Sequence, residues 1–156
     1  MLALLLTLPV SVYAQVPTSL AFELSTSTGN KESLKQHLGK LVYVDFWASW
    51  CAPCLQSFPF MNSLQQKYQA AGLQIIAINL DKKIDDAQIF LSKNPAQFLV
   101  LFDPAGQTPQ QYGVKGMPSS YLIDRKGKLI SIHKGFKVAD QEILEAKIKA
   151  ALADKD

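Results

Sequence analysis

The sequence predicts an α/β protein in which a central mixed β-sheet is flanked by helices. Two near-continuous apolar runs, Leu41 to Ala48 and Leu73 to Asn79, have the composition of strands covered on both faces. Segments with helical patterning lie between and after them, so strand and helix alternate. Towards the end, Ser119 to Ile123 and Leu129 to His133 read as strands joined by the hairpin turn Asp124-Arg125-Lys126-Gly127.

With 156 residues, 48% of them apolar, the chain suits one domain with an ordinary core. Its first residues differ from the rest. Leu2 to Leu8 is an apolar run broken by Pro9, and Val12-Tyr13-Ala14 precedes polar Gln15. This reads as a signal peptide over residues 1–14, leaving a domain over 15–156. The run is shorter than the roughly 20 residues a bilayer span needs. No Lys or Arg precedes Leu2, so a buried N-terminal strand or helix stays open as the other reading. No Cys follows the run to carry a lipid.

Beyond the leader, Phe22 and Leu24 alternate with polar neighbours as a short strand, ended by Thr28-Gly29-Asn30. Ser33 to Leu38 suggests one or two helical turns stopped by Gly39. A helix is expected from about Cys54 to Gln69, kinked by Pro59 and closed by Ala71-Gly72. Asp85 to Ser92 is a further helix, with Ile84, Ala87, Phe90 and Leu91 facing inward and Asn94-Pro95 ending it. Phe98 to Phe102 is a strand, Asp103-Pro104-Ala105-Gly106 a turn, and Thr108 to Tyr112 a short helix. Asp140 is placed to cap a last helix whose Ile143, Leu144, Ile148, Ala151 and Leu152 share one face.

The formal charge of +3 is mild, and the Lys and Arg are dispersed. No basic run amounts to a nucleic-acid footprint. The two cysteines are three positions apart. Closing so short a loop constrains the unfolded chain little, so the pair points to chemistry rather than stabilisation. Zinc needs about four ligands. There is no third Cys, and His37 and His133 are isolated, which suits surface or structural roles.

Cys51-Ala52-Pro53-Cys54 lies where a buried strand turns into a helix. Unpaired N–H groups and the positive end of the helix dipole there favour a thiolate on Cys51. Cys54, one turn further in, is placed to attack a mixed disulfide formed on Cys51. Pro53 suits a first helical turn. Asp45 lies in the middle of the central strand, where a charge is costly unless relieved. Two readings compete: a strand-edge carboxylate reaching solvent, and a buried carboxyl with a raised pKa that exchanges a proton with Cys54. The catalytic pair just downstream favours the second. Trp47 is expected to pack, and Trp50 to line a substrate groove. Gly116-Met117-Pro118 precedes the Ser119 strand, and on local sequence alone it is an ordinary turn.

Taken together, the run Val44-Asp45-Phe46-Trp47-Ala48-Ser49-Trp50-Cys51-Ala52-Pro53-Cys54, Pro59, Phe102-Asp103-Pro104 and Tyr112 through Asp124 resemble the thioredoxin superfamily. The resemblance is greatest to exported TlpA/ResA-like disulfide reductases, and it runs from about Thr18 to Leu152. It implies a thioredoxin-like fold with an N-terminal hairpin and the αβ insertion of TlpA and peroxiredoxin proteins, here between Asp81 and Phe102. It further implies that Cys51 attacks, Cys54 resolves and Asp45 is the buried acid. Met117–Pro118 would be a cis peptide facing the cysteines. The Met117 backbone would then pair with an extended substrate segment, beside Trp50, Ala52, Pro53, Gly116 and Pro118.

By resemblance, the partners are protein dithiols and disulfides, apocytochrome c among them, with a membrane thiol-electron donor of the DsbD or CcdA kind. The expected protein is a periplasmic monomer without a cofactor beyond its own disulfide. Two positions depart from the pattern. The lysine that thioredoxins often place near the buried acid is matched by Ala77. The acid that ResA-like members can carry between the cysteines is Ala52. Three other readings compete: a peroxiredoxin-like peroxidase, an oxidant or isomerase of the DsbA type, and a non-catalytic binding module. The Pro-x-x-x-Thr-x-x-Cys setting of the first and the inter-cysteine histidine of the second are absent. The complete CxxC motif argues against the third.

Overall fold

A computed structural model describes residues 20–154, and the leader expected over 1–14 lies outside them. Among the described residues seven strands form one sheet in the order β2-β1-β5-β4-β3-β6-β7. The long apolar runs become its centre: β3 (Leu41–Trp47) is buried at every position, and β4 (Leu73–Asn79) runs parallel to it. Such strands need cover on both faces, and both are covered.

On one face lie α1 (Ala52–Tyr68), α2 (Ile84–Lys93) and α4 (Gln141–Ala153). Their Phe58, Met61, Leu64, Ala87, Leu144 and Ile148 pack on Leu41, Tyr43, Trp47, Ile75 and Leu122. Trp47 packs as expected, in an aromatic cluster with Phe58 and Phe90 at 4.8 and 5.0 Å between ring centroids. The other face carries Val42, Val44, Phe46, Ile76 and Ile78 under Leu20, Phe22, Leu34 and Tyr112. Tyr112 belongs to the end of α3 (Gln107–Gln111).

The N-terminal hairpin is present as β1 (Glu23–Ser25) and β2 (Lys31–Ser33), joined through Gly29 at φ 86°. The αβ insertion is α2 and β5 (Leu99–Phe102), which returns parallel to β4. The antiparallel hairpin of β6 (Ser119–Ile123) and β7 (Leu129–Lys134) completes the sheet, with β6 against β3. Asp124 Oδ1 accepts the N–H groups of Lys126 and Lys128 and so closes its turn. No helix among the described residues is long and apolar enough to cross a membrane.

Several local expectations are corrected. The helical turn expected from Ser33 is present as a single 3-10 turn, Leu34–His37, and only its first residue differs, since Ser33 ends β2. Helix α1 begins at Ala52, with Cys51 at its N-cap, and runs on through Pro59. Ile84 and Ile143 are exposed, because the buried stripes of α2 and α4 are narrower than their apolar sets. Asp140 stands at the start of α4, yet its carboxyl turns back to the Lys137 N–H at 2.8 Å and does not cap the helix.

Candidate active site

The end of β3 and the start of α1 build the site. After Trp47 the chain leaves the sheet through Ala48-Ser49-Trp50, and the Cys51 N–H donates to Ala48 O at 3.1 Å. Cys51 adopts extended backbone at the N-cap, so α1 begins immediately after it. Cys51 and Cys54 are joined by a disulfide with their Cα atoms 5.3 Å apart. Cys54 is fully enclosed, while Cys51 keeps a small opening to the surface. No acidic residue occupies the first turn of α1. The positive helix end therefore acts on Cys51 without an opposing charge from its own helix.

Opposite the cysteines runs the segment before β6. Met117–Pro118 is a cis peptide, a form the local sequence alone did not suggest and the family resemblance did. Trp50, Cys51, Ala52, Pro53, Gly116 and Met117 all line one cleft of about 540 Å³. Leu80, Pro109, Val114 and Lys115 complete it, and the sequence reading assigned none of these four to the site, although Val114 and Lys115 fall within the run that carries the family resemblance. Pro118 is buried behind the cleft rather than lining it. Trp50 stands 73% exposed on the rim.

Asp45 does not reach solvent; it is 1% exposed, on the sheet face that α1 covers. Burial pushes its carboxyl up to about 7, and a hydrogen bond from Ser120 opposes that rise. Ser120 Oγ donates to Asp45 Oδ1 at 2.8 Å, whereas Oδ2 has no partner among the described residues. Ala77 stands opposite Asp45 on β4, so the neighbouring strand supplies no basic group. The histidines take up structural positions: His37 Nε2 lies 3.3 Å from Glu32, and His133 Nε2 lies 3.3 Å from Asp140.

A second network holds the turn ahead of Cys51. Asp81, just past β4, accepts the Ser49 N–H and the Ser49 hydroxyl, both at 2.9 Å. Asn79 Nδ2 also donates to Asp81, at 2.7 Å, and the Asp81 N–H donates back to Asn79 Oδ1 at 3.1 Å. The only sequence signal for Asp81 is an acid two positions past a buried strand, which usually marks a solvated turn.

A redox-active cysteine pair at a helix N-terminus, facing a cis-proline loop on a thioredoxin-like sheet, defines a thiol–disulfide oxidoreductase. The chain belongs to the Redoxin family, whose model matches residues 13–152. It is 37% identical over 120 residues to the thiol-disulfide oxidoreductase ResA of Bacillus thuringiensis subsp. konkukian, covering 77% of this chain and 69% of that one. It is likewise 37% identical over 117 residues to the thioredoxin-like protein YneN of Bacillus subtilis, covering 73% and 68%. Among solved structures it matches a Chlorobium tepidum protein provisionally named thiol:disulfide interchange protein DsbE. There the identity is 57% and the TM-score 0.83, over 85% of this chain and 93% of that one.

Proposed function

We infer that the protein is an extracytoplasmic reductant of protein disulfides, exported by its N-terminal leader and acting as a monomer. The observation that carries this reading is the cysteine pair at the mouth of an apolar cleft, with a buried carboxyl on the sheet beneath α1. In the reduced protein the Cys51 thiolate attacks a substrate disulfide. One Cys51–substrate bond forms as the substrate S–S bond breaks, and the first substrate thiolate leaves and takes up a proton from solvent. The Cys54 S–H then gives its proton to Asp45, and its thiolate attacks Cys51 Sγ. The Cys51–Cys54 disulfide forms, the second substrate thiolate leaves, and Asp45 returns its proton to it. Two electrons and two protons have passed to the substrate.

Substrate binding follows from the cleft. An extended segment laid along the Gly116-Met117-Pro118 backbone places its cysteine over Cys51, while Trp50, Ala52 and Pro53 flank it. In an oxidising compartment the resulting disulfide has to be reduced again, and a membrane dithiol carrier of the DsbD or CcdA kind meets that need. The names ResA and DsbE among its relatives make cytochrome c maturation the leading cellular setting. The deciding experiment is the equilibrium reduction potential of Cys51–Cys54 in dithiothreitol or glutathione buffers, with a Cys54→Ala variant mixed with substrate. A reductant should lie near or below the roughly −270 mV of thioredoxin, and the variant should accumulate a mixed disulfide. A potential near the roughly −120 mV of DsbA would instead make the protein an oxidant.

A further inference from the structure

On its face of the sheet Asp45 has two strand neighbours. Ala77 on β4 offers no polar atom, and Ser120 on β6 stands directly opposite. Residues so placed on antiparallel strands have Cβ atoms about 4.5–5.5 Å apart, within reach of a hydroxyl–carboxyl contact. The hydroxyl is used in that way: Ser120 Oγ donates to Asp45 Oδ1 at 2.8 Å, and both side chains are buried. The adjacent serine points the other way along the chain's alternation, and Ser119 Oγ donates to Gly116 O at 2.7 Å. The two serines therefore divide the work: one braces the cis-proline loop and the other holds the acid.

Asp45 Oδ2 is buried and has no partner among the described residues. A buried carboxyl oxygen left unpaired is costly, and an atom kept in that condition needs a reason. One pinned oxygen beside one open oxygen gives the carboxyl a fixed orientation and a single vacant proton-accepting atom. We propose that Ser120 is the positioning residue of the buried acid: its hydroxyl pins Asp45 Oδ1 and leaves Oδ2 as the atom that takes and returns the proton. The proposal rests on Asp45 being the proton acceptor for Cys54.

Few other groups bear on this carboxyl. From β3 itself, Tyr43 interacts with both Ser120 and the Asp45 charge. The core on this face holds Cys51 at the N-cap of α1, Cys54 within α1, and apolar Leu144 and Ile148 from α4, and β4 contributes Ala77. Beyond Ser120, His133 stands opposite it on β7, its ring met by Asp140. No ion pair among the described residues includes Asp45. Ser120 is therefore the side chain that works against burial at this site. Removing its hydroxyl takes a donor from the charged form and makes the carboxyl harder to ionise.

The test is a carbon-13 NMR titration of the Asp45 carboxyl in the full oxidised chain, where the cysteines do not titrate. The pH profile of protein-disulfide reduction is measured alongside it. Ser120→Ala should raise the Asp45 midpoint by about one pH unit, and Ser120→Thr, which keeps the hydroxyl, should restore it. The acidic limb of the rate should move upward by the same amount, and His133→Gln should leave both midpoints in place. An unmoved Asp45 midpoint in Ser120→Ala overturns the proposal, even if the rate falls uniformly at every pH. A midpoint that moves while the rate limb stays supports Ser120 as the residue that holds Asp45. It overturns instead the assignment of Asp45 as proton acceptor.

Discussion

The carboxyl of Asp81 takes both the backbone N–H and the hydroxyl of Ser49, two residues ahead of Cys51. This clamp ties the turn leading into Cys51 to the end of β4, and Asp81 is buried within it. Hydrogen bonds to a charged group contribute about 1.5–3 kcal/mol each, and they are not additive. Asp81→Ala should therefore cost about 3 kcal/mol of stability, against about 1.5 kcal/mol for Ser49→Ala, which removes only the hydroxyl's bond. Guanidinium unfolding of the oxidised proteins reads both values. Equal, small losses would mean that the turn is held by its backbone bonds alone.

Asp45 should make the protein less stable as the pH rises. Its folded value, pushed up to about 7 by burial, lies above the ordinary aspartate value of about 3.9. Between those limits the native state keeps a proton that the unfolded chain has released. Stability therefore falls as pH rises from about 4 to about 7 and stays low above that. Asp45→Asn removes the penalty, so the variant should be the more stable protein at about pH 8, by up to about 4 kcal/mol, and the gap should close towards pH 4. Denaturant midpoints at the two pH values decide it. A gap of the same size at both would place the effect in packing rather than in charge.

How much of this was legible in advance depends on whether a feature is local. The buried runs of β3 and β4, the cysteine pair at the helix start and the β6–β7 turn are written in consecutive residues, and the structure has them there. Ala77 beside Asp45 came from the resemblance, which matched it to the lysine of thioredoxins, and the β3–β4 register has it there. Ser120 and Asp81 were not legible. Each is an unremarkable polar residue until strand register or chain reversal brings it against a partner 75 or 32 residues away. The outward Ile84 and Ile143 show the complementary limit: an apolar residue on a helix does not say how wide the buried stripe is.

Arg125 ties the β6–β7 turn to the last helix. Its guanidinium donates to Leu152 O at 3.2 Å and Ala151 O at 3.3 Å, and also to Asp154 O. A cation at carbonyls left open by a helix C-terminus is favourable both as a hydrogen-bond donor and against the dipole. Arg125→Ala should cost about 1–2 kcal/mol and speed amide exchange in the final turn of α4, with turnover unchanged. Arg125→Lys should recover only part of this, since a single ammonium cannot span several carbonyls as the planar fork does. Full recovery by lysine would leave charge alone as the cause.

Trp50, next to Cys51, is left in solvent by the fold, 73% exposed while Trp47 is sealed in the core. It contributes to the cleft that also holds Met117 and Lys115. An exposed indole costs the free protein little to keep and covers a large area once a partner lies against it, which is why tryptophan is frequent among interface residues with large truncation effects. Trp50→Ala should raise KM for a protein disulfide about tenfold, with kcat nearly unchanged. The unfolding midpoint should stay within about 0.5 kcal/mol of the parent, as for other exposed positions. Reduction of a small aromatic disulfide, which has no chain to lay along the cleft, should change much less. A fall in kcat at constant KM would move Trp50 from substrate docking to the chemistry of Cys51.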